Sequence, residues 1–232
     1  MTLYLNDIGT IGALGAGRDE VLARLLAADD SGMTPYDELL TRRKTLVGRA
    51  RAELPAPRAE LAELDCRNNR LLAHALDQIA DAVAALRESV GASRVAVVLG
   101  TSTSGIEAGE AAIEAFTRAG RMPGAYHYRQ QEIGTAAEFA ARYLGLTGLR
   151  YTISTACSSS AKAFASAWRL LEAGRCDAAV VGGVDSLCKL TLNGFDSLES
   201  LAPDLCNPFS AHRRGINIGE GACVFVVSRR PS

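Results

Sequence analysis

The sequence predicts an α/β fold in which a mainly parallel, mixed sheet is flanked by helices. Two observations carry that expectation. Short apolar runs rich in β-branched residues alternate along the chain with segments whose apolar residues recur every three or four positions, the signature of strands alternating with amphipathic helices. The composition, 48% hydrophobic and 22% charged over 232 residues, supplies a substantial core for one large domain or two small ones and excludes a disordered or fibrous chain.

Taken in order, a first strand is expected in LYLNDIGTIG and a helix in RDEVLARLLAADD. Residues 30–62 then carry Pro35, Pro55 and Pro57 among polar residues, which reads as an irregular insertion. From Asn68 the apolar positions Leu71, Leu72, Ala75, Leu76, Ile79, Val83 and Leu86 mark one face of a single long helix that Gly91 ends. RVAVVLG follows as a buried strand, TSTSG as a polar turn and IEAGEAAIEAFTRAG as a helix. RMPGAYHYRQQ reads as a loop, GTAAEFAARYLG as a helix and RYTIST as a strand. A further helix begins near Cys157, and strands are expected over 176–184 and 222–227.

The bulk properties narrow the function classes. Lys and Arg number 25 against 26 Asp and Glu, a formal net charge of −1, so no global attraction to nucleic acid or an anionic membrane is expected. The start, MTLYLNDIGTIGALGAG, lacks a basic segment before an apolar one, and the longest apolar runs fall short of a membrane span, which predicts a cytoplasmic protein. The six cysteines form no CxxC pair and the three histidines no HExxH, so neither a disulfide scaffold nor a metal site is expected. The basic run Arg42-Arg43-Lys44 with Arg49 and Arg51 suits either an acidic partner or a solvated face.

The most informative stretch is Thr155-Ala156-Cys157-Ser158-Ser159-Ser160, where a β-branched run meets a helical pattern with no loop between them. A cysteine there is a buried small hydrophobe, half of a disulfide or a nucleophile. Ala161, Phe164, Ala165, Trp168 and Leu171 recur at helical spacing, predicting that this face packs on the sheet and that Cys157 lies in the first helical turn. At a helix N-terminus, unpaired backbone N–H groups and the positive dipole end favour the nucleophilic thiolate. The corner is similar to the nucleophile elbow of serine hydrolases, with sulfur in place of oxygen. Downstream, Gly182-Gly183, Asn193-Gly194-Phe195, Asn207-Pro208-Phe209 and Gly219-Glu220-Gly221-Ala222 read as tight turns around short strands.

Taken together with the cysteine corner, the order and spacing of these motifs resemble the β-ketoacyl-acyl-carrier-protein synthases, the decarboxylating condensing enzymes of fatty acid, polyketide and polyene assembly. The resemblance is strongest over about residues 95–227 and implies a thiolase-like layered fold, with residues 1–232 forming the N-terminal domain of a two-half protein. It implies that Cys157 is the acyl-accepting nucleophile, its backbone N–H half of an oxyanion hole, that Phe195 is an aromatic gate of the acyl pocket, and that Thr103 is a pocket-depth residue. It implies an acyl carrier protein as partner, which delivers its own phosphopantetheine so that no metal or organic cofactor is required, and a homodimer or a heterodimer with a ketosynthase-like subunit. Arg213-Arg214-Gly215 departs from the more common Arg-Asp-Gly, and Cys223 stands where glycine is frequent. The family's catalytic histidines, lysine and second oxyanion segment belong to a second half outside these residues, and His74, His127 and His212 match none of them; a chain of these residues alone is expected not to complete a condensation. The alternatives are a noncatalytic partner subunit of the chain-length-factor kind, which normally lacks the nucleophile, and a cysteine thioester hydrolase.

Overall fold

A computed structural model describes residues 2–231. Its centre is a six-stranded sheet built from β1 (Tyr4–Gly12), β2 (Gly15–Ala16), β5 (Val95–Gly100), β6 (Arg150–Ile153), β7 (Ala178–Asp185) and β9 (Gly221–Ser228), in the order β2-β1-β9-β7-β5-β6. β5 is parallel to both β6 and β7, whereas β9 runs antiparallel between β7 and β1. The sheet is therefore mixed: β1, β5, β6 and β7 point one way, and β2 and β9 the other.

Helices cover both faces. α2 (Arg67–Asp77), α3 (Ala80–Val90) and α5 (Thr135–Tyr143) enclose one core with Val97, Leu99, Val180 and Val224. α6 (Ser159–Glu172) encloses the other with Ala96, Val98, Ala179 and Val181. All six residues of β5 are buried, as the unbroken apolar run VAVVLG requires for a strand covered on both faces. α1 (Arg18–Leu26) and α4 (Ile106–Ala119) lie further out. Among the described residues no helix is long and apolar enough to cross a membrane.

Four local expectations are corrected. The long helix from Asn68 is two helices: the backbone leaves the helical path at Ile79, with φ −111° and ψ 8°, and beside the break the Gln78 side chain makes a two-way amide pair with the backbone of Thr10, accepting its N–H at 2.9 Å and donating to its carbonyl at 3.0 Å. Gly91, with φ +87°, ends the second of them as expected. The insertion at 30–62 is ordered: β3 (Met33–Tyr36) and β4 (Thr45–Gly48) pair antiparallel, and β8 (Ile218–Gly219) joins β4 in parallel over a small core containing Tyr36, Leu39 and Val47. Asn193-Gly194-Phe195 is not a turn but part of helix α7 (Lys189–Ser197), whose first two amides donate to the carboxylate of Glu110, 2.9 Å from Lys189 N and 2.7 Å from Leu190 N. That capping group lies about eighty residues away in sequence, so no local signal announces it.

The fourth correction concerns α6. Its buried stripe is Ser159, Ala163, Ala167 and Leu171, while Ala161 and Ala165 are exposed. The helix is rotated so that its smallest residues face the sheet and Phe164 and Trp168 lie at the margin, because its first turn sits unusually close to the strands.

Candidate active site

That close approach is created by glycines. Gly100 at the end of β5 and Gly183 in β7 are register partners on adjacent strands, and the first turn of α6 lies directly over them. A Cβ added at Gly100 would stand 2.6 Å from Ser160 N, and one at Gly183 would stand 2.1 Å from Ser160 Oγ. Gly182-Gly183 therefore lies inside a strand rather than in a turn, and its second glycine makes room for the helix that follows the cysteine.

The corner itself runs from Ser154 to Ser158. Ser158 is the N-cap and the helix begins at Ser159, so Cys157 stands one residue before the N-cap rather than in the first turn. The reason is Ala156, whose φ of +52° places it in the left-handed region and turns the chain sharply out of the strand direction. Side chains pin that turn. Thr155 N–H donates to Ser159 Oγ at 2.9 Å, Ser159 Oγ–H donates to the Ala156 carbonyl at 2.6 Å, and Ser158 Oγ–H donates to the Thr155 carbonyl at 2.8 Å. The outcome is an exposed thiol at the tip of a held bend. Of the six free cysteines, Cys66, Cys176 and Cys188 are buried, Cys206 and Cys223 half-buried, and Cys157 alone exposed. Burial pushes the thiols of Cys66, Cys176, Cys188 and Cys223 up, that of Cys66 to about 11, which keeps them protonated and unreactive.

The other expected site residues lie on other elements, Thr103 after β5 and Phe195 on α7. Thr103 is buried in the turn after β5, where its N–H and hydroxyl both donate to Asp185 Oδ1, at 2.8 and 3.0 Å, and its hydroxyl accepts from Ser186 N. Thr101 and the Ser102 amide donate to the same oxygen, so Asp185, at the end of β7, gathers the whole turn. Phe195 is half-buried on α7 and packs on the small core with Tyr36, Leu39 and Leu192. Among the described residues no hydrogen bond joins Cys157 to a histidine. His74 is half-buried against Gln78 rather than on the surface, and His127 and His212 are exposed in loops. Arg43, from the basic run, is tied to α7 through Asp196, donating from Nε at 2.9 Å. A cleft of about 190 Å³, lined by Tyr36, Arg49, Glu107, Glu110, Cys188 and Lys189, contains no residue of the Cys157 corner.

At the start of β9, Glu220 of the Gly-Glu-Gly motif has a fully buried side chain held by Arg67, whose Nε donates at 2.8 Å. Glu220 also accepts from Ala50 N at 3.1 Å and Leu187 N at 3.5 Å. One carboxylate thus fastens the start of β9 to α2, the insertion and the segment before α7. Sequence reasoning singled out the motif but read it as a turn, and it did not assign Ser159, Asp185 or Arg67 any part in holding the site. Only the serine run hinted at side-chain to backbone turns.

Residues 55–232 match the sequence model described as beta-ketoacyl synthase, N-terminal domain. Nodulation protein E of Rhizobium sp. (strain N33) is 34% identical over 138 residues, which cover 59% of this chain and 34% of that protein. Among solved structures, a chain from the complex of the ketosynthase ApeO with its chain length factor ApeC from Xenorhabdus doucetiae superimposes with TM-score 0.93 at 42% identity, covering 99% of this chain and 58% of that one. A beta-ketoacyl synthase from Burkholderia phymatum STM815 gives TM-score 0.82 at 26% identity, covering 98% and 59%. The thiolase-like layering that the motifs implied is thus the fold of this chain, and the chain spans less than two thirds of the length of these relatives.

Proposed function

Because the chain belongs to the β-ketoacyl synthase family, we propose that it carries the acyl-accepting site of a condensing enzyme, with Cys157 as the nucleophile. The single observation that supports this most strongly is the Cys157 corner: an exposed thiol on a strained bend, braced by two serines over a pair of glycines, in a protein whose other thiols are wholly or partly buried. In the first step the Cys157 sulfur attacks the carbonyl carbon of an acyl thioester, the carrier's thiolate leaves and takes up a proton, and the acyl group remains on Cys157. In the second, a malonyl thioester loses CO2. The resulting enolate carbon attacks the Cys157 thioester, a carbon–carbon bond forms, and the Cys157 thiolate is released with a 3-ketoacyl product.

An acyl carrier protein is the proposed donor, and a second ketosynthase-like subunit the proposed dimer partner, in line with the ketosynthase and chain length factor that form the Xenorhabdus complex. Phe195 and Thr103 are proposed to border the acyl chain on their correspondence to family positions. Since the Thr103 hydroxyl is already engaged by Asp185 and Ser186, its contribution to such a pocket is its methyl group.

The test is incubation with an acyl-carrier thioester followed by mass analysis of the peptide containing Cys157. A stable acyl adduct that disappears in Cys157→Ala supports the proposal. An adduct that forms and hydrolyses at once would instead indicate a thioester hydrolase, and no adduct at all a noncatalytic partner subunit.

A further inference from the structure

The geometry points to Ser159 as a positioning residue for Cys157. This rests on the reading of Cys157 as the acyl acceptor and adds to it a mechanism by which the chain aims the thiol. Ser159 is buried, 4% exposed, although it opens a helix next to an exposed corner. Its hydroxyl both donates and accepts on that corner, accepting from Thr155 N–H and donating to the Ala156 carbonyl. These two bonds straddle the residue of the corner whose backbone is unfavourable, Ala156 at φ +52°. A residue with a Cβ enters the left-handed region only when its surroundings enforce it, and here the Ser159 hydroxyl clasps the chain on either side of the bend. Relaxation of Ala156 toward an ordinary backbone conformation swings the next residue, Cys157, away from its present direction.

The clasp has little room to be replaced. A Cβ at Gly100 would stand 3.0 Å from Ser159 Cβ, so the serine sits against the strand and a bulkier side chain has no space there. Ser158 does not substitute, because its hydroxyl is exposed and pairs with the Thr155 carbonyl and the Thr155 hydroxyl, both on the strand side of the bend.

Acyl transfer and simple alkylation separate positioning from mere support. Alkylation by a small haloacetamide needs an exposed thiolate, whereas attack on an acyl thioester needs the sulfur aimed at a carbonyl bound in one direction, where a displacement of about 1 Å costs up to ~10²-fold. In Ser159→Ala, acylation of Cys157 by an acyl N-acetylcysteamine thioester should fall about ten- to a hundredfold, while iodoacetamide labelling of Cys157 stays within about threefold. Adding Ala156→Gly should restore much of the acylation, since glycine adopts positive φ freely. Ala156→Val, at an exposed position that leaves Ser159 untouched, should reproduce the loss, because a β-branched residue resists that conformation. Acylation at the wild-type rate in Ser159→Ala, equal loss of acylation and alkylation, or no restoration by glycine would each overturn the proposal. If Ser159→Ala does not fold, Ala156→Val decides the matter, and unchanged acylation there overturns it. Absence of an acyl adduct from the wild-type protein overturns the acceptor reading itself, a result separate from any difference among the variants.

Discussion

Replacing Arg67 with alanine removes the only side-chain cation that, among the described residues, pairs with the Glu220 carboxylate, which the fold has buried completely. The Glu220 side chain is 0% exposed and that of Arg67 33%, so the pair is sealed on one side and partly wetted on the other. After Arg67→Ala the charge on Glu220 keeps, among the described residues, the amides of Ala50 and Leu187, at 3.1 and 3.5 Å. Breaking a buried pair by deleting one partner costs about 3–5 kcal/mol. Partial solvation of the guanidinium lowers that to roughly 2–4 kcal/mol here. At about 2–4 °C per kcal/mol for a chain of this size, the melting temperature should drop by about 4–16 °C. Glu220→Gln removes the charge but presents an amide to the guanidinium and should cost about 1–3 kcal/mol. Since both changes break one interaction, the double variant should lose clearly less than the sum of the two. Thermal unfolding of the four proteins measures the cycle. Losses that add within about 0.5 kcal/mol, the usual result for independent sites, would refute the claim that Glu220 and Arg67 act as a pair.

Two further outcomes are expected. Phe195→Ala should lower stability by about 1–3 kcal/mol, less than the 3–5 kcal/mol of a fully buried phenylalanine because the ring is half-buried. If the ring borders the acyl chain, loading of Cys157 should also change its preference between short and long acyl thioesters; a lower melting temperature with unchanged preference would make Phe195 a packing residue only. Cys66, raised by burial from 9.0 to about 11, should make stability depend on alkaline pH. The folded thiol holds its proton to higher pH than the unfolded one, so its contribution is complete below pH 9 and is lost as pH rises toward 11, by up to roughly 3 kcal/mol. Denaturant titrations between pH 8 and 11 should show a shallower decline in Cys66→Ala, not an abolished one, because Cys176, Cys188 and Cys223 are shifted in the same direction.

The sequence by itself determined the features set by short-range chemistry. VAVVLG read as a strand buried on both faces, Gly91 as a helix end, and the cysteine between a β-branched run and a helical pattern as a strand-to-helix corner, and the structure has all three. The Thr-Ala-Cys-Ser-Ser motif, set among its glycine partners, was enough to point to the family. Tertiary structure decided whatever depends on a contact between distant residues. Strand order and the reversal of β9 do not show in strand periodicity, which is the same in either direction. The break between α2 and α3 falls at Ile79, beside the long-range pairing of Gln78 with the Thr10 backbone, and α7 is helical through Gly194 with Glu110 capping its first amides. The position of Cys157 just outside its helix is settled the same way. Ala156 has no intrinsic preference for positive φ; Gly100 and Gly183 let the first turn of α6 settle onto the sheet, where the Ser159 hydroxyl reaches both sides of the bend and the Ser158 and Ser159 amides donate to the Thr155 and Ala156 carbonyls.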